Sequence, residues 1–551
     1  MLAVLAIALF LFVGWQQTAE AARFAVGLEP GASVADVAAR LERTTGNTVS
    51  RELAPMRALT LDAPGPRALA RIAGVAYVER IDARRRIAFT PADPLAARQW
   101  HLPQIRAFDA WAEVPALPPV RVAIIDSGID GEHPEFAGRI GPSKSFVGGD
   151  PLTDQQGHGT FVAGLVAANL NNGQGVAGIA FPAELVIAKV VRNDRSISLE
   201  TEARAIRWAI DQGAQVINLS LGGVRDPLDP RRDTYSPLEA AAISYAYKRG
   251  AILVAAVGNA DQAPRRPWPY AGYPAALPHV IGVSALARDG SVPLFSDRDR
   301  IYNDVAAPGQ DLLSTFPRSL TALQPTCKNQ GYSECGTEEY RRAEGTSFAA
   351  PMVTAAAAVL LSVNPLLTRD QVMQLITRTA QDANPGSGCK PCPAGRDALS
   401  GWGRLDVTAA IVQALRGPAP EPDRLETNDD AGARAQKLFG TRGKLLRATI
   451  DFWDDQNDVY KIRIRGRERL VASVRGPAGT RLFLWRPGTE HVDGPTGIVL
   501  PRKRIAQSVQ RGSVQQFGFT NRGRSDWYYL QVKIGSPSPG SGPYTLSYSK
   551  R

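Results

Sequence analysis

The sequence predicts an α/β protein: a parallel sheet with helices on both faces, preceded by a small α+β unit and followed by a β-sandwich. Three observations predict it. Between about Ala92 and Leu415, short runs rich in Val and Ile ("VRVAII", "AELVIAKVV", "AQVINLSL", "AILVAAVG") alternate with helical patterns such as "FVAGLVAAN" and "ETEARAIRWAID". Continuous apolar strands of this kind belong to parallel sheets covered on both sides, whose sites collect at the carboxyl ends of the strands. Before that stretch, a compact unit mixes one helix with short strands. After it, a stiff Pro-rich linker, Arg416 to Arg424, leads into strands separated by Gly and Pro with no helix-length pattern.

The elements follow in order. "FAVGLEPG" is a strand and turn, and Val34, Val37, Ala38 and Leu41 then recur at helical spacing behind Ser33 as N-cap. "RALTLDA" and "VAYVERID" alternate like strands and complete a unit from Phe24 to about Phe89. In the last part "DVYKIRIRGRERLVASV", "RLFLW", "WYYLQVKI" and "YTLSYS" make a sandwich of about 125 residues, an ordinary domain size.

At 551 residues the chain exceeds one hydrophobic core, so several domains are expected. Its 44% hydrophobic and 21% charged content is that of a soluble globular protein. The 64 basic and 53 acidic residues give +11, read as spread along the chain and as a solvated exterior with a mild attraction to anionic surfaces. No nucleic-acid motif or aromatic-interleaved basic stripe is present, so no nucleic-acid partner is expected. The apolar opening, Met1 to Trp15, is too short to span a bilayer comfortably, and small residues follow it. Export with cleavage near Ala22 is expected; because no Lys or Arg precedes the run, an uncleaved anchor and a misplaced start codon are the competing readings. Four cysteines allow three pairings. The two sequence-local disulfides, Cys327 with Cys335 and Cys389 with Cys392, are expected over a zinc site, because only the second pair is Cys-x-x-Cys and export favours oxidation.

Four short stretches carry chemistry. "VAIIDSGID" places Asp126 directly after a buried strand, where a carboxylate is either a turn residue or the orienting acid of a triad. "GHGTFVAG" sets His158 between two glycines at the mouth of an apolar helix. "AILVAAVGNAD" ends a buried strand in Gly258-Asn259, whose amide can donate to a developing oxyanion. "EGTSFAAPMVTAAAAVLL" opens a buried helix at Thr346-Ser347. Alone, that serine reads as a helix cap. Together the four supply a hydroxyl nucleophile, an imidazole base, an acid and an oxyanion donor, in the order acid, base, nucleophile.

"AIIDSGID", "GHGTFVAG", "VINLSLGG", "AAVGN" and "GTSFAAPMV" resemble the signature blocks of the subtilisin-like serine proteases, in that family's order. The resemblance implies a triad of Asp126, His158 and Ser347, with the Asn259 side chain and the Ser347 backbone N–H as oxyanion donors. The order disfavours the α/β-hydrolases, and Asn259 disfavours the sedolisins, which carry Asp there. By the same resemblance Ser220, Leu221 and Gly222 form a strand edge for extended substrate, beside Gly258. Gly272 matches the back of the primary specificity pocket and implies room for a large, uncharged P1 residue. Three positions depart from the pattern: Arg195-Ser196-Ile197 replaces Gly-Ser-Gly, Phe161 stands where His is frequent, and Ala260-Asp261 replaces Glu-Gly.

"NLNNGQGVAG" is similar to the family's calcium loop, implying Ca2+ held by carbonyls of Leu170, Gln174 and Val176, the Asn172 side chain, and the carboxylates of Glu135 and Asp93. "GVAYVERIDARRRIAF" resembles the end of the family's inhibitory propeptides, and the last domain resembles bacterial prepeptidase C-terminal domains, with Thr427 in place of the usual Pro. The implied organisation is a signal peptide over 1–22, a propeptide over 23–91, a catalytic domain over 92–415, a linker over 416–424 and a β-sandwich over 425–551. The function implied is a secreted, monomeric serine endopeptidase. It would act on extended polypeptides, be inhibited by its own propeptide until autoprocessing, and possess some capacity for cell-surface association. The competing reading is a catalytically silent secreted binding protein on the same fold.

Overall fold

The computed structural model describes residues 22–81, 89–261, 263–321, 339–416, 425, 428, 431–432, 435–450, 456–489, 492, 503–534 and 542–551. The apolar leader, the Cys327–Cys335 pair, Thr427 and most of the linker lie outside the described residues. By contact the chain divides into two units, Met1–Ile87 and Ala88–Arg551.

In the first unit, strands β1 (Ala22–Leu28), β2 (Ala58–Ala63) and β3 (Val75–Arg80) form an antiparallel sheet in the order β2-β1-β3. The helix Val34–Thr45 begins where expected, with Ser33 accepting from the Asp36 N–H at 3.3 Å. It buries Val37, Ala38 and Leu41. These pack with Phe24, Val26, Leu59 and Leu61 in one small core.

The second unit contains the predicted parallel sheet. Its strands are β4 (Val120–Asp126), β5 (Ile140–Ser145), β6 (Ala183–Lys189), β7 (Val216–Leu219), β8 (Ile252–Ala256), β9 (Val280–Leu286) and β10 (Val305–Pro308). The order is β10-β9-β8-β7-β4-β6-β5, parallel throughout. The chain grows from β4 first towards β5 and β6, then the other way from β7. The carboxyl end of β4, which is Asp126, therefore lies at the switch point where α/β sheets bind ligands.

Each face has its own core. On one side the helices His158–Ala167 and Thr346–Val363 bury Phe161, Leu165, Met352 and Val359 with Val122 and Ile124 of β4. On the other, Leu199–Asp211 and Pro237–Lys248 bury Ala205, Ile206 and Ile243 against Ile125 and Val186. The two apolar helices are buried all round, as helices without a polar face are. Cys389 and Cys392 are joined in a disulfide, as expected for that pair.

The last region is all β among its described residues. One sheet runs Gln436–Leu438, Asn457–Ile464, Asp526–Ile534, Thr480–Trp485, Arg504–Gln507; the other runs Arg442–Ile450, Gly542–Lys550, Arg469–Arg475, Val514–Thr520, Val509–Arg511. Ile462, Leu482 and Leu530 of the first share a core with Leu470, Phe517 and Leu546 of the second. This is the two-sheet arrangement that the alternating pattern predicts.

Candidate active site

Asp126 is the last residue of β4 and is buried. Its two oxygens lie 2.8 and 3.0 Å from His158 Nδ1. A carboxylate can only accept here, so Nδ1 carries the proton and Nε2 is left as the basic nitrogen. Burial opposes the charged imidazolium, but the charge and hydrogen bond of Asp126, with the charge of Asp154, outweigh it and raise the His158 pKa. His158 is the first residue of its helix, and Gly159 follows for a steric reason: a Cβ there would stand 2.1 Å from the Gly128 carbonyl oxygen. Only glycine lets this helix start so close to the strand end.

Asp154, which the sequence reading did not single out, builds the turn that carries the imidazole. It accepts from the Ser127 hydroxyl, from the Gln156, Gly157 and Thr160 N–H groups and from the Thr160 hydroxyl. Its place four residues before the histidine, in a Gly-containing turn entering a helix, was the available signal.

Ser347 does not cap its helix. The N-cap is Gly345, with no side-chain cap, and Ser347 is the second residue of the helix. The capping function passes to Asn259, whose Oδ1 accepts from the Thr346 N–H at 2.8 Å and the Thr346 hydroxyl at 2.9 Å. With Oδ1 engaged, the Asn259 Nδ2 donor remains for another partner. The Ser347 carbonyl is also held from outside. Pro351, four residues on, has no N–H to offer it, and the Ser220 hydroxyl donates instead at 2.6 Å. Asn218 Nδ2 donates to Ser220 Oγ at 2.8 Å, and Asn218 Oδ1 accepts from Thr354, one turn beyond the proline, at 2.9 Å. Two points on one helix are thus tied to the end of β7.

Asp126, His158, Asn259 and Ser347 line one cleft of about 540 Å³, together with Ser220, Leu221 and Gly222. These last three continue β7 beyond its pairing with β8, which ends at Leu219. Arg195 and Ile197 line the cleft as well, so the departure from Gly-Ser-Gly falls on its wall. Phe161 is buried and packs on Phe348, ring centroids 4.5 Å apart, and Phe348 lies 5.2 Å from the His158 ring. Phe161 is thus linked to the imidazole through the Phe348 ring.

A second pocket of about 180 Å³ adjoins, lined by Leu221, Gly222, Gly258, Asn259, Gly272 and Ser347 among others. Gly272 is there as expected, and the position its Cβ would take is occupied by backbone. A Cβ on it would stand 2.5 Å from the Gly223 carbonyl oxygen, because segments 222–223 and 272–273 approach closely through the Gly223–Tyr273 bridge. The wall also contains the buried Asp297, whose carboxyl is pushed up to about 8 by burial, with the nearby Asp261 charge adding. Nothing around "FSD" in the sequence marks that residue.

The residues of the expected calcium loop come together in part. Asp93 accepts from the Asn171 and Asn172 N–H groups. Glu135, fully buried, accepts from the Val176 N–H, Asn172 Nδ2 and the Tyr340 hydroxyl. The Asn172 side-chain oxygen accepts from the Gln174 N–H, and Leu170 packs against the adjoining core. Burial pushes the Glu135 carboxyl up to about 7, with Asp93 adding to the rise. Two neighbouring buried carboxyls without a cationic partner among the described residues form a donor set that a hard divalent ion would neutralise.

The family model described as the Subtilase family matches residues 119–403. Thermitase of Thermoactinomyces vulgaris is 34% identical over 277 residues, covering 50% of this chain and 86% of thermitase. The major intracellular serine protease of Bacillus subtilis is 33% identical over 287 residues, covering 50% of this chain and 80% of its own. Subtilisin E of the same species is 36% identical over 261 residues, with coverage of 47% and 60%.

Proposed function

The chain belongs to the subtilase family of serine proteases, and on that premise we propose that it is a secreted endopeptidase, made as a zymogen, that hydrolyses peptide bonds through an acyl-enzyme on Ser347. The observation that carries the reading is the Asp126–His158 hydrogen-bonded pair opening onto the cleft shared with Ser347 and Asn259. In the reaction, Ser347 Oγ attacks the scissile carbonyl while His158 Nε2 takes its proton, later delivering it to the leaving amine. Asp126 fixes the tautomer and stabilises the imidazolium. Asn259 Nδ2 and the Ser347 N–H, at the positive end of a long buried helix, donate to the oxyanion. Such a side-chain donor contributes about a hundredfold to a thousandfold in rate, a magnitude established on a subtilisin and borrowed here.

Extended substrate pairs with the free edge at Ser220–Gly222, and the pocket at Gly258 and Gly272 receives P1. Asp93, Glu135 and Asn172, with the carbonyls of Leu170, Gln174 and Val176, would hold Ca2+, which would bring positive charge to a pair of buried carboxyls. Residues 23–91 act as the inhibitory propeptide and 425–551 as a prepeptidase C-terminal-like domain, the division after Ile87 supporting a boundary near the expected processing point. The apolar leader supports secretion. The alternative, a silent binding protein, is not favoured by any feature of the cleft.

Replacement of Ser347 by Ala is expected to abolish both hydrolysis of a peptide substrate and removal of the N-terminal unit. Normal processing of that purified variant, alone in solution, is the result that would sink the proposal.

A further inference from the structure

The +11 charge is not spread along the chain. Residues 425–551 hold 22 Lys and Arg against 11 Asp and Glu, whereas the preceding 424 residues hold 42 of each. The whole excess therefore belongs to the C-terminal sandwich, and topology gathers much of it at one end.

Three turns and the chain terminus meet there. The turn 439–441 links Gln436–Leu438, which runs parallel to Asn457–Ile464, to Arg442–Ile450. The turn 465–468 follows Ile464, and the turn 521–525 precedes Asp526, which pairs with Ile464. Hydrogen bonds knit them together: the Arg467 N–H donates to Asn521 O, and Asn521 Nδ2 donates to the carbonyls of Ile464, Arg465 and Arg524. Arg469 and Arg551 exchange backbone hydrogen bonds, and the Lys550 N–H donates to Thr441 O.

From the 465–468 turn and its flanks project Arg463, Arg465, Arg467 and Arg469, all exposed. Arg522 and Arg524 project from the second turn, with Arg442 and Arg551 beside them. Among the described residues none of these arginines is paired with a carboxylate. Among the described residues the acidic side chains there are Glu468 and Asp526, with the α-carboxylate of Arg551 beside them, and Glu468 is engaged by the Arg465 N–H. Lys550, half-buried, donates to the Arg463 carbonyl. Burial holds its pKa below the ordinary range, with Glu468 opposing and the Arg465 charge adding to the fall.

At this same end, in the 439–441 turn, stands Phe439, 74% exposed. Its turn is pinned, since the Tyr548 hydroxyl donates to the Phe439 carbonyl. It is the one exposed aromatic side chain among the described residues of the sandwich.

We propose that this end of the sandwich is a docking surface for a membrane of anionic phospholipid, the arginines engaging headgroup phosphates and Phe439 entering the interface. Unpaired guanidinium groups match phosphate oxygens geometrically and by charge. A polybasic surface is drawn to anionic lipid within about a Debye length, and an aromatic ring gains by leaving water at the headgroup level. A single-stranded nucleic acid would want several exposed aromatic faces for stacking, whereas among the described residues this end exposes Phe439 and leaves Trp527 partly buried. A sulfated polysaccharide would use the arginines and have no need of the phenyl ring.

The test is co-sedimentation of the full chain with vesicles of phosphatidylglycerol and phosphatidylcholine in equal parts, against pure phosphatidylcholine, near 0.1 M salt. Binding to the anionic vesicles at least about tenfold tighter is expected, falling about tenfold or more in Arg465→Glu/Arg467→Glu. Phe439→Ala should weaken vesicle binding severalfold and leave peptide hydrolysis unchanged. Because charge reversal can disturb folding, Arg465→Lys/Arg467→Lys serves as the companion variant and should retain most of the binding. Failure to bind anionic vesicles overturns the proposal. So does vesicle binding indifferent to Phe439→Ala, or retention on heparin or DNA without vesicle binding.

Discussion

Ser347 owes its availability to its neighbours. Gly345 takes the cap position, Asn259 satisfies Thr346, and Pro351 leaves the Ser347 carbonyl to Ser220. The helix start is therefore anchored by groups other than the serine hydroxyl. The four residues of the proposed machinery were legible because each sits in a Gly-containing turn at one end of an apolar run, Asp126 and Asn259 at or after the end of a strand and His158 and Ser347 at the start of a helix. Asp154 and Thr346 were not, since their roles lie in which hydrogen bond they accept or give. At Gly272 the close approach of the Gly223 backbone was not legible either, as sequence does not say whether a missing side chain faces a pocket or another backbone. Two outcomes belong at this scale. Asp126→Asn should lower kcat by about ten-thousandfold with little change in KM, because the imidazole loses its tautomer partner; a loss below tenfold would contradict the assigned role. Asp126 and Asp154 both raise the His158 pKa, and the base works only when neutral. Removing one charge in Asp154→Asn should therefore move the acid limb of kcat/KM to lower pH, and an unmoved limb would exclude Asp154 as a contributor.

Between elements, the helices Leu199–Asp211 and Pro237–Lys248 meet through two buried carboxyls, Glu202 and Glu239, each in the first turn behind a serine cap. Burial raises both pKa values, Glu202 well above the ordinary range and Glu239 to about 7, and the two share a hydrogen bond that one proton supplies. Folded, the pair holds its proton where the unfolded chain has lost it. The stability it contributes is whole below about pH 4.5 and is lost as pH rises through about 7. Denaturant unfolding at pH 5 and pH 9 should show Glu239→Gln losing less stability than the wild type, by on the order of 2–3 kcal/mol. Equal losses would mean the pair ionises freely. Both helices were expected from caps or apolar periodicity only in part: "ETEARAIRWAID" was legible, whereas Pro237–Lys248 was missed, being apolar on more than one face. Their contact is tertiary, and no local pattern announces it. The loop at Glu135 and Asn172 gives a second test at this scale. Added Ca2+ should raise the thermal midpoint and a chelator lower it, with the response reduced in Glu135→Gln; a midpoint indifferent to both would remove calcium from the account.

Across the molecule, the sequence alternation of apolar runs and helical patterns was enough to place a parallel sheet between two cores, because buried parallel strands have so narrow a composition. The strand order was not readable, since nothing local says that the chain reverses its direction of growth after β6. That reversal puts Asp126 at the switch point and brings β7 and β8, with Ser220 and Asn259 beyond their ends, to the same cleft. In the terminal sandwich the strands were legible and the gathering of charge was not, because it depends on which turns share an end. The central claim is that these separate strand ends converge to activate one serine. Reaction of the purified, folded protein with a fluorophosphonate probe, followed by peptide mapping, tests it most directly. A single adduct on Ser347 is expected, lost in His158→Ala; a folded protein that takes no label, or takes it at another residue, would contradict the account.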